Sequence, residues 1–508
     1  GNQVPVEDER SRRGPGPWAR RQFVVADVDP PPISPEVLLR HGAKMLDPLT
    51  ALRVPGQGEL RPTAYIADRL LILANASDSR GVINEVAAEL GLGVDVDERD
   101  QNREFTPRVE RLILSIDAER RDAAVPAPDA WTVLQNARAR VGFDRVASVG
   151  LDHLMSASTG PITGDPYRGI SGKSADPAAS YGTAGFGGLA PVMWLGASPE
   201  RGSVGCRRPR VAVLDTGTAA HPWFDESPNT GCVTRLAIST SPGDGLVANA
   251  LTGALASDAG HGTFIAGLIR QACPNADILS IRIMGDDGFV AEGALIEALQ
   301  LLCDLHIAAQ AGSQGFVDIV SLSLGYYHES PGSTALDASV WSPIHQLGKL
   351  GVAVVAAAGN DSTTRPLYPA GFTPNVNGPN ITCPPDCVPV ASVGALNPNG
   401  SVALFSNAGV WVNSAQPGAS VISTMPMIDG GSEPSTLVLT PAGLRATIDM
   451  DDFRGGFASW SGTSFSAPLL AGKIAQVLLV TGSLDDVSTG AATARVRDAL
   501  AMLTEVPL

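Results

Sequence analysis

From Arg210 onward the chain alternates short, nearly uninterrupted apolar runs with longer amphipathic ones. The apolar runs at 211–214, 278–283, 317–324, 352–358 and 388–393 read as strands. The segments at 261–271, 291–305 and 341–350 read as helices. A strand apolar on both sides has to be covered on both faces, as happens when crossover helices clothe a parallel sheet. The pattern predicts a doubly wound, mostly parallel α/β domain over 206–508, and ligands of such domains sit at the carboxyl ends of the strands.

The preceding residues follow other rules. Residues 1–60, rich in Pro, Arg and Asp, read as a partly ordered arm with one helix near 34–45. Within 61–153, strands are predicted at 65–74, 94–97, 109–116 and 145–151. Asp78 is a candidate cap for a helix carrying Val82, Ile83, Val86 and Leu90 on one face, stopped by Gly91 and Gly93. Pro128 and Asp129 open a second helix bearing Trp131, Leu134 and Val141. Leu112, Leu114 and Ile116 form one strand face. The order β-α-β-β-α-β is a split βαβ, ferredoxin-like α+β pattern. Residues 154–205 are dominated by Gly, Ser, Ala and Pro with no sustained period, and read as a linker open to cleavage.

At 508 residues the chain has room for two or three such units. An apolar fraction of 44% with 17% charged residues excludes a disordered chain or a rod. The net charge of −16 argues against a nucleic-acid partner. No uninterrupted apolar run is long enough to predict a membrane span. The first residues carry no apolar stretch, so no signal peptide is visible. The chain starts with Gly rather than Met, however, so a removed leader and secretion fit as well as a cytoplasmic location. Six cysteines permit disulfides without requiring them. Cys383 and Cys387 flank Pro-Pro-Asp; two thiols are too few for structural zinc, leaving a small disulfide loop or free thiols.

Three segments carry chemistry. "VAVLDTG" puts Asp215 at a strand end, "GHGTFIAGLI" puts His261 at a helix start, and "SGTSFSAPLLAG" puts Ser464 at a turn into an apolar helix. A buried carboxylate orients an imidazole, and the imidazole takes the proton of an otherwise weak serine nucleophile. A helix start offers free N–H groups to a developing oxyanion. Each segment also has an ordinary reading: a turn Asp, a core His, a helix-capping Ser. His221 is the rival imidazole but lacks the Gly-His-Gly-Thr setting. Asp-Thr-Gly also marks aspartic proteases, which need a second copy, and none is found. The remaining histidines, His41, His153, His306, His328 and His345, have no partner pattern and read as ordinary; Asp451 and Asp452 read as a solvated turn.

The three segments together, in the order Asp, His, Ser, resemble the subtilisin-like serine proteases (subtilases), whose chain order this is. The resemblance covers about 210–480 and implies a subtilisin-like fold and a serine endopeptidase. It implies that Asn360 in "VAVVAAAGNDS" donates to the oxyanion. It implies that Ser323, Leu324 and Gly325 in "IVSLSLG" line the primary pocket and one substrate edge, with Gly288 on the other, so that substrate adds as a β-strand. It extends to the N-terminal block, which resembles the subtilase inhibitory propeptide: an intramolecular inhibitor, with processing between 153 and 205. No cofactor is required for the chemistry, and structural calcium is possible without assignable ligands. Peptide or protein substrate is the implied partner. The long linker and the insertions at 371–387 and 427–457 depart from the family pattern. They motivate two alternatives: a protease-like binding protein with an occluded cleft, or a dedicated processing protease with one target.

Overall fold

The computed structural model describes residues 27–101, 108–117, 125–157, 181, 187–193, 195–225, 231–243, 246–309, 315–330, 338–374, 383–481 and 484–505. The arm expected at its first 26 residues, and much of the linker and processing stretch at 154–205, lie outside them.

The N-terminal block runs β1 (Thr63–Leu73), α1 (Ser77–Glu89), β2 (Leu92–Val96), β3 (Val109–Ile116), α2 (Ala130–Val141) and β4 (Val149–Ala157). Its sheet order is β4-β1-β3-β2, antiparallel throughout. Leu70, Ile72, Ile83, Val86, Leu112, Leu114, Val133 and Leu134 make one core between sheet and helices. Asp129 caps α2 by accepting from Thr132 N at 3.2 Å.

Several local expectations shift. The helix expected over 34–45 is only Pro35–Arg40; Gly42, at φ 62°, ends it, and a strand follows at Ala43–Leu46. Asp78 lies inside the first turn of α1, with Ala76 at the cap. Ile116 is exposed at the strand end. The strand expected over 145–151 is displaced. The chain leaving α2 turns through a 3-10 segment, Asp144–Val146, and β4 then runs on to Ala157.

The second block runs β5 (Arg210–Asp215), β6 (Val233–Ala237), α3 (His261–Ala272), β7 (Asp277–Arg282), β8 (Phe289–Ala291), α4 (Glu292–Ala309), β9 (Ile319–Leu322) and β10 (Leu324–Tyr327). It continues through α5 (Ala338–Lys349), β11 (Ala353–Ala357), β12 (Leu367–Tyr368), β13 (Ala391–Leu396), β14 (Ser414–Pro417) and β15 (Val421–Thr424). It ends with the hairpin β16 (Leu437–Thr440) and β17 (Gly443–Ala446), β18 (Phe457–Trp460), α6 (Thr463–Thr481) and α7 (Thr489–Leu503). The strand expected at 388–393 starts three residues later, because Pro389 has no N–H for the ladder. The hairpin fills the 427–457 insertion and leaves Leu437, Leu439 and Leu444 exposed.

A seven-stranded parallel sheet, ordered β14-β13-β11-β9-β5-β7-β6, is the spine. Alternate residues of one strand enter opposite cores. Ala212 and Leu214 of β5 join the core under α4 and α5, with Leu299 and Leu347. Val211 and Val213 join the core under α3, α6 and α7, with Ile269, Leu470, Ile474 and Val496. Helix α6 is long and apolar enough to cross a membrane by composition, but its Leu470, Ile474 and Leu478 are buried in this core.

The two blocks share β4. Its first half, through His153, pairs with β1. Its second half pairs antiparallel with β8 on one side (Leu154–Ala291, Met155–Val290, Ser156–Phe289) and with β10 on the other (Ser156–Gly325, Ala157–Leu324).

Truncating Leu470, fully buried between α6 and the sheet, should cost about 2–5 kcal/mol. Thermal unfolding of Leu470→Ala, made in a Ser464→Ala background, should show a lowered midpoint; an unchanged midpoint would contradict the assigned core.

Candidate active site

The apolar strand β5 ends at Asp215, buried beside the first turn of α3. Asp215 Oδ1 lies 2.7 Å from His261 Nδ1 and accepts from Thr216 N at 2.7 Å. His261 opens α3 behind Gly260, whose φ of 79° suits glycine and whose added Cβ would meet Pro426 Cδ at 2.4 Å. The imidazole is walled by Trp460 and Phe465, with ring centroids at 5.8 and 5.5 Å. Burial pulls its pKa down, but the charge and hydrogen bond of Asp215, with the charge of Asp258, outweigh that and leave it raised above the ordinary 6.5. Its Nε2 makes no hydrogen bond to the described residues.

Ser464 is the second residue of α6. Its hydroxyl donates to Ser323 O at 3.2 Å, and the Ser323 hydroxyl donates to Ser464 O at 2.8 Å. The structure therefore brings Asp215 and His261 into direct contact and ties Ser464 to Ser323. It does not bring the Ser464 hydroxyl onto the imidazole. Phe465, next in the chain, makes the contact with His261.

Asn360 follows β11 and is buried. Its Oδ1 accepts from both N and Oγ1 of Thr463, each at 2.9 Å. The carbonyl end of the amide is thus anchored on the first residue of α6.

Gly288, Leu324 and Gly325 lie on either side of β4, not on an open cleft. Ala157 N donates to Gly288 O at 2.8 Å, and Ala157 and Ser156 pair with Leu324 and Gly325. Gly288, at φ 79°, lies over the Asp258 carboxylate; an added Cβ would come within 2.1 Å of Oδ2. His221, the rival imidazole, packs its Nε2 against Gly456 O at 2.9 Å and accepts from Trp223 N at Nδ1, a structural role. Asp451 lies in a turn but is not solvated: the residue is 9% exposed, and its carboxylate accepts from Ser432 N and Oγ within the insertion.

His153 is far from ordinary. It is fully buried on β4, with Nδ1 2.6 Å from Glu292 Oε2 at the start of α4 and Nε2 2.8 Å from Glu329 Oε2 after β10. Tyr326 stacks on it at 4.2 Å, and the His328 ring lies 5.7 Å away. Both ring nitrogens face carboxylates, which calls for the doubly protonated imidazolium. Burial opposes the charge, yet the two carboxylates hold its pKa well above the ordinary value. Glu329, penalised by burial, is held well below the carboxylate range by His328 and His153. Nothing in the sequence signalled this cluster, because its partners lie 139 and 176 positions away. Neighbouring contacts join the same blocks: Asp152 Oδ1 accepts from Gly293 N at 2.9 Å, and Arg111 pairs with Glu297 at 3.1 Å.

Among the described residues no three His, Cys, Asp or Glu side chains converge as a metal site.

The sequence profile of the subtilase family matches residues 207–501. The chain belongs to the subtilase family. The extracellular protease of Xanthomonas campestris pv. campestris is 25% identical over 400 residues, covering 73% of this chain and 57% of that protein. Subtilisin BL of Lederbergia lenta is 28% identical over 263 residues, half of this subtilase and 78% of its relative. A solved cold-adapted subtilisin-like serine proteinase aligns with 57% of this chain and 80% of its own, at 22% identity and a TM-score of 0.34. The parallel sheet and the profile match together give this subtilase a subtilisin-like fold.

The His153 cluster has a pH signature. A raised folded-state pKa adds stability that is full below about 6.5, the unfolded value, and is lost as pH climbs through the folded value. The depressed Glu329 adds stability that is full above about 4.5 and lost only at strongly acid pH. At pH 6, His153→Gln should therefore destabilise by about 3–5 kcal/mol, the range for breaking a buried pair. In thermal melts of Ser464→Ala chains with and without His153→Gln, the gap should shrink as pH rises; a constant gap would exclude the ionic assignment.

Proposed function

We propose that this subtilase is a serine endopeptidase acting on peptide or protein substrates through Asp215, His261 and Ser464. The carrying observation is the buried 2.7 Å Asp215–His261 contact, which leaves Nε2 as the working nitrogen. The reaction requires the Ser464 hydroxyl to leave Ser323 O and meet Nε2. Catalytic hydrogen bonds are often unformed without substrate.

Ser464 Oγ attacks the scissile carbonyl while His261 Nε2 takes its proton. The carbonyl π-electrons move onto oxygen, where Asn360 Nδ2 and the Ser464 N–H receive the charge. His261 then returns the proton to the leaving amine, and the acyl-enzyme forms. Water, deprotonated by the same imidazole, attacks the ester; the imidazolium returns that proton to the departing Ser464 oxygen, and the acid is released. Asp215 holds the tautomer and balances the imidazolium. The tight anchoring of Asn360 on Thr463 supports a donor preset for the transition state.

We infer further that the N-terminal block inhibits the enzyme. Its strand β4 lies between Gly288 and Leu324–Gly325, the edges a substrate strand would use, so the two compete for one place. This reading expects a fresh chain to split into two fragments with the cut C-terminal to Ala157, because the strand up to that residue stays on one side of the scissile bond. Intact mass over time reads this, and a fluorophosphonate should then label the larger fragment. Ser464→Ala should neither split nor label. Splitting of Ser464→Ala at the same rate would overturn the assignment. A wild-type chain that neither splits nor labels would favour the occluded binding protein.

Two further outcomes follow from the chemistry. Turnover should rise with pH through the His261 titration, with its midpoint on the alkaline side of 6.5; a flat profile would remove His261 as base. Asn360→Ala should lower kcat by about 10²–10³ with little change in KM, the range measured for such a donor in a subtilisin. A change confined to KM would remove Asn360 from the oxyanion role.

A further inference from the structure

Cys383 and Cys387 lie in the 371–387 insertion, outside the machinery described above. The turn Pro384-Pro385-Asp386-Cys387 is closed by Cys387 N donating to Pro384 O at 3.0 Å. Two prolines restrict the backbone around this turn, so little freedom remains to be lost in bringing the flanking sulfurs together. Cys383 Sγ donates to Cys387 O at 3.4 Å. The same carbonyl accepts from Arg497 Nη1 of α7 at 2.7 Å, which sets a guanidinium beside the Cys383 sulfur. Cys387 Sγ lies 3.9 Å from His345 Nδ1 on α5. It also packs tightly against α5, where a Cβ added to Gly348 would meet it at 2.8 Å.

The two thiols differ in ways that suit two roles. Cys383 is half-buried and reachable, while Cys387 is buried beneath it. The contact with Cys387 and then the Arg497 charge pull the Cys383 thiol down, against burial. The contact with Cys383 pushes the Cys387 thiol up. A depressed, accessible thiol attacks; a buried neighbour resolves. The remaining four cysteines are free as well, and Cys232, Cys273 and Cys303 are buried.

We propose that Cys383 and Cys387 form a thiol–disulfide exchange site that takes a low-molecular-weight disulfide and ends as an internal Cys383–Cys387 bond. The Cys383 thiolate attacks one sulfur of the small disulfide RS–SR. That S–S bond breaks, a Cys383–SR bond forms, and one RS⁻ leaves. Cys387 gives its proton to the departing RS⁻, which leaves as RSH. The Cys387 sulfur then attacks the Cys383 sulfur, the internal bond forms, and the second RS⁻ leaves. Two protein thiols are oxidised and one small disulfide is reduced to two thiols, so no other oxidant is needed.

The test uses the full chain carrying Ser464→Ala, reduced, then exposed to oxidised glutathione, alkylated and mapped by mass. The peptide holding Cys383 and Cys387 should be lighter by two hydrogens, unalkylated and free of glutathione. Cys387→Ser should trap one glutathione on Cys383, at least about tenfold faster than on Cys206, the other half-buried thiol. Arg497→Gln should slow that uptake several-fold. Alkylation of both sulfurs, separate adducts on both, uptake at Cys383 no faster than at Cys206, or a rate indifferent to Arg497→Gln would each overturn the proposal.

Discussion

One strand holds the architecture together. The backbone of β4 satisfies β1 with its first half and, with its second, both the β8 and β10 edges of the subtilase block. An exposed strand edge presents unpaired N–H and C=O groups and invites another chain to add to it. Here the strand between β8 and β10 is supplied by the same molecule. On the proposed reading, the partners a substrate would use are thereby occupied, and the N-terminal block docks through the hydrogen bonds that recognition would otherwise make.

Charge reinforces that backbone pairing. The imidazolium of His153 is buried between Glu292 and Glu329, and Arg111 meets Glu297 about one turn further along α4. Buried ions cost several kcal/mol each to desolvate, and attraction between them only offsets that when geometry is close. Such a layer adds less to net affinity than to register: a slip of β4 by one residue would carry His153 to the opposite face of the strand and leave both carboxylates without their imidazolium. The ionic layer and the strand pairing thus specify the same docking position.

The candidate catalytic groups depend on the parallel sheet in a simpler way. Asp215 ends β5, Asn360 follows β11, and His261 and Ser464 open the helices α3 and α6. Crossover helices start where parallel strands finish, so side chains from four distant segments gather at one end of the sheet. The Asn360–Thr463 hydrogen bonds tie the end of β11 to the start of α6. Fixed dipoles arranged in this manner need no reorganisation when charge develops.

Local sequence carried much of this. Apolar runs covered on both faces demanded a parallel sheet; Asp215, His261 and Ser464 stood out because each sits at a junction between an apolar run and a small-residue turn, while Asn360 came from the resemblance to subtilases. Element edges were legible only to within a few residues: β4 starts after an unexpected 3-10 turn, and Pro389 delays β13. What only tertiary structure decided is which distant groups meet. His153 finds its carboxylates, Ser464 turns to Ser323, and β4 fills the space between Gly288 and Leu324. Periodicity and capping act over three or four neighbouring residues, whereas these contacts join positions more than a hundred residues apart, where no local pattern records the partner.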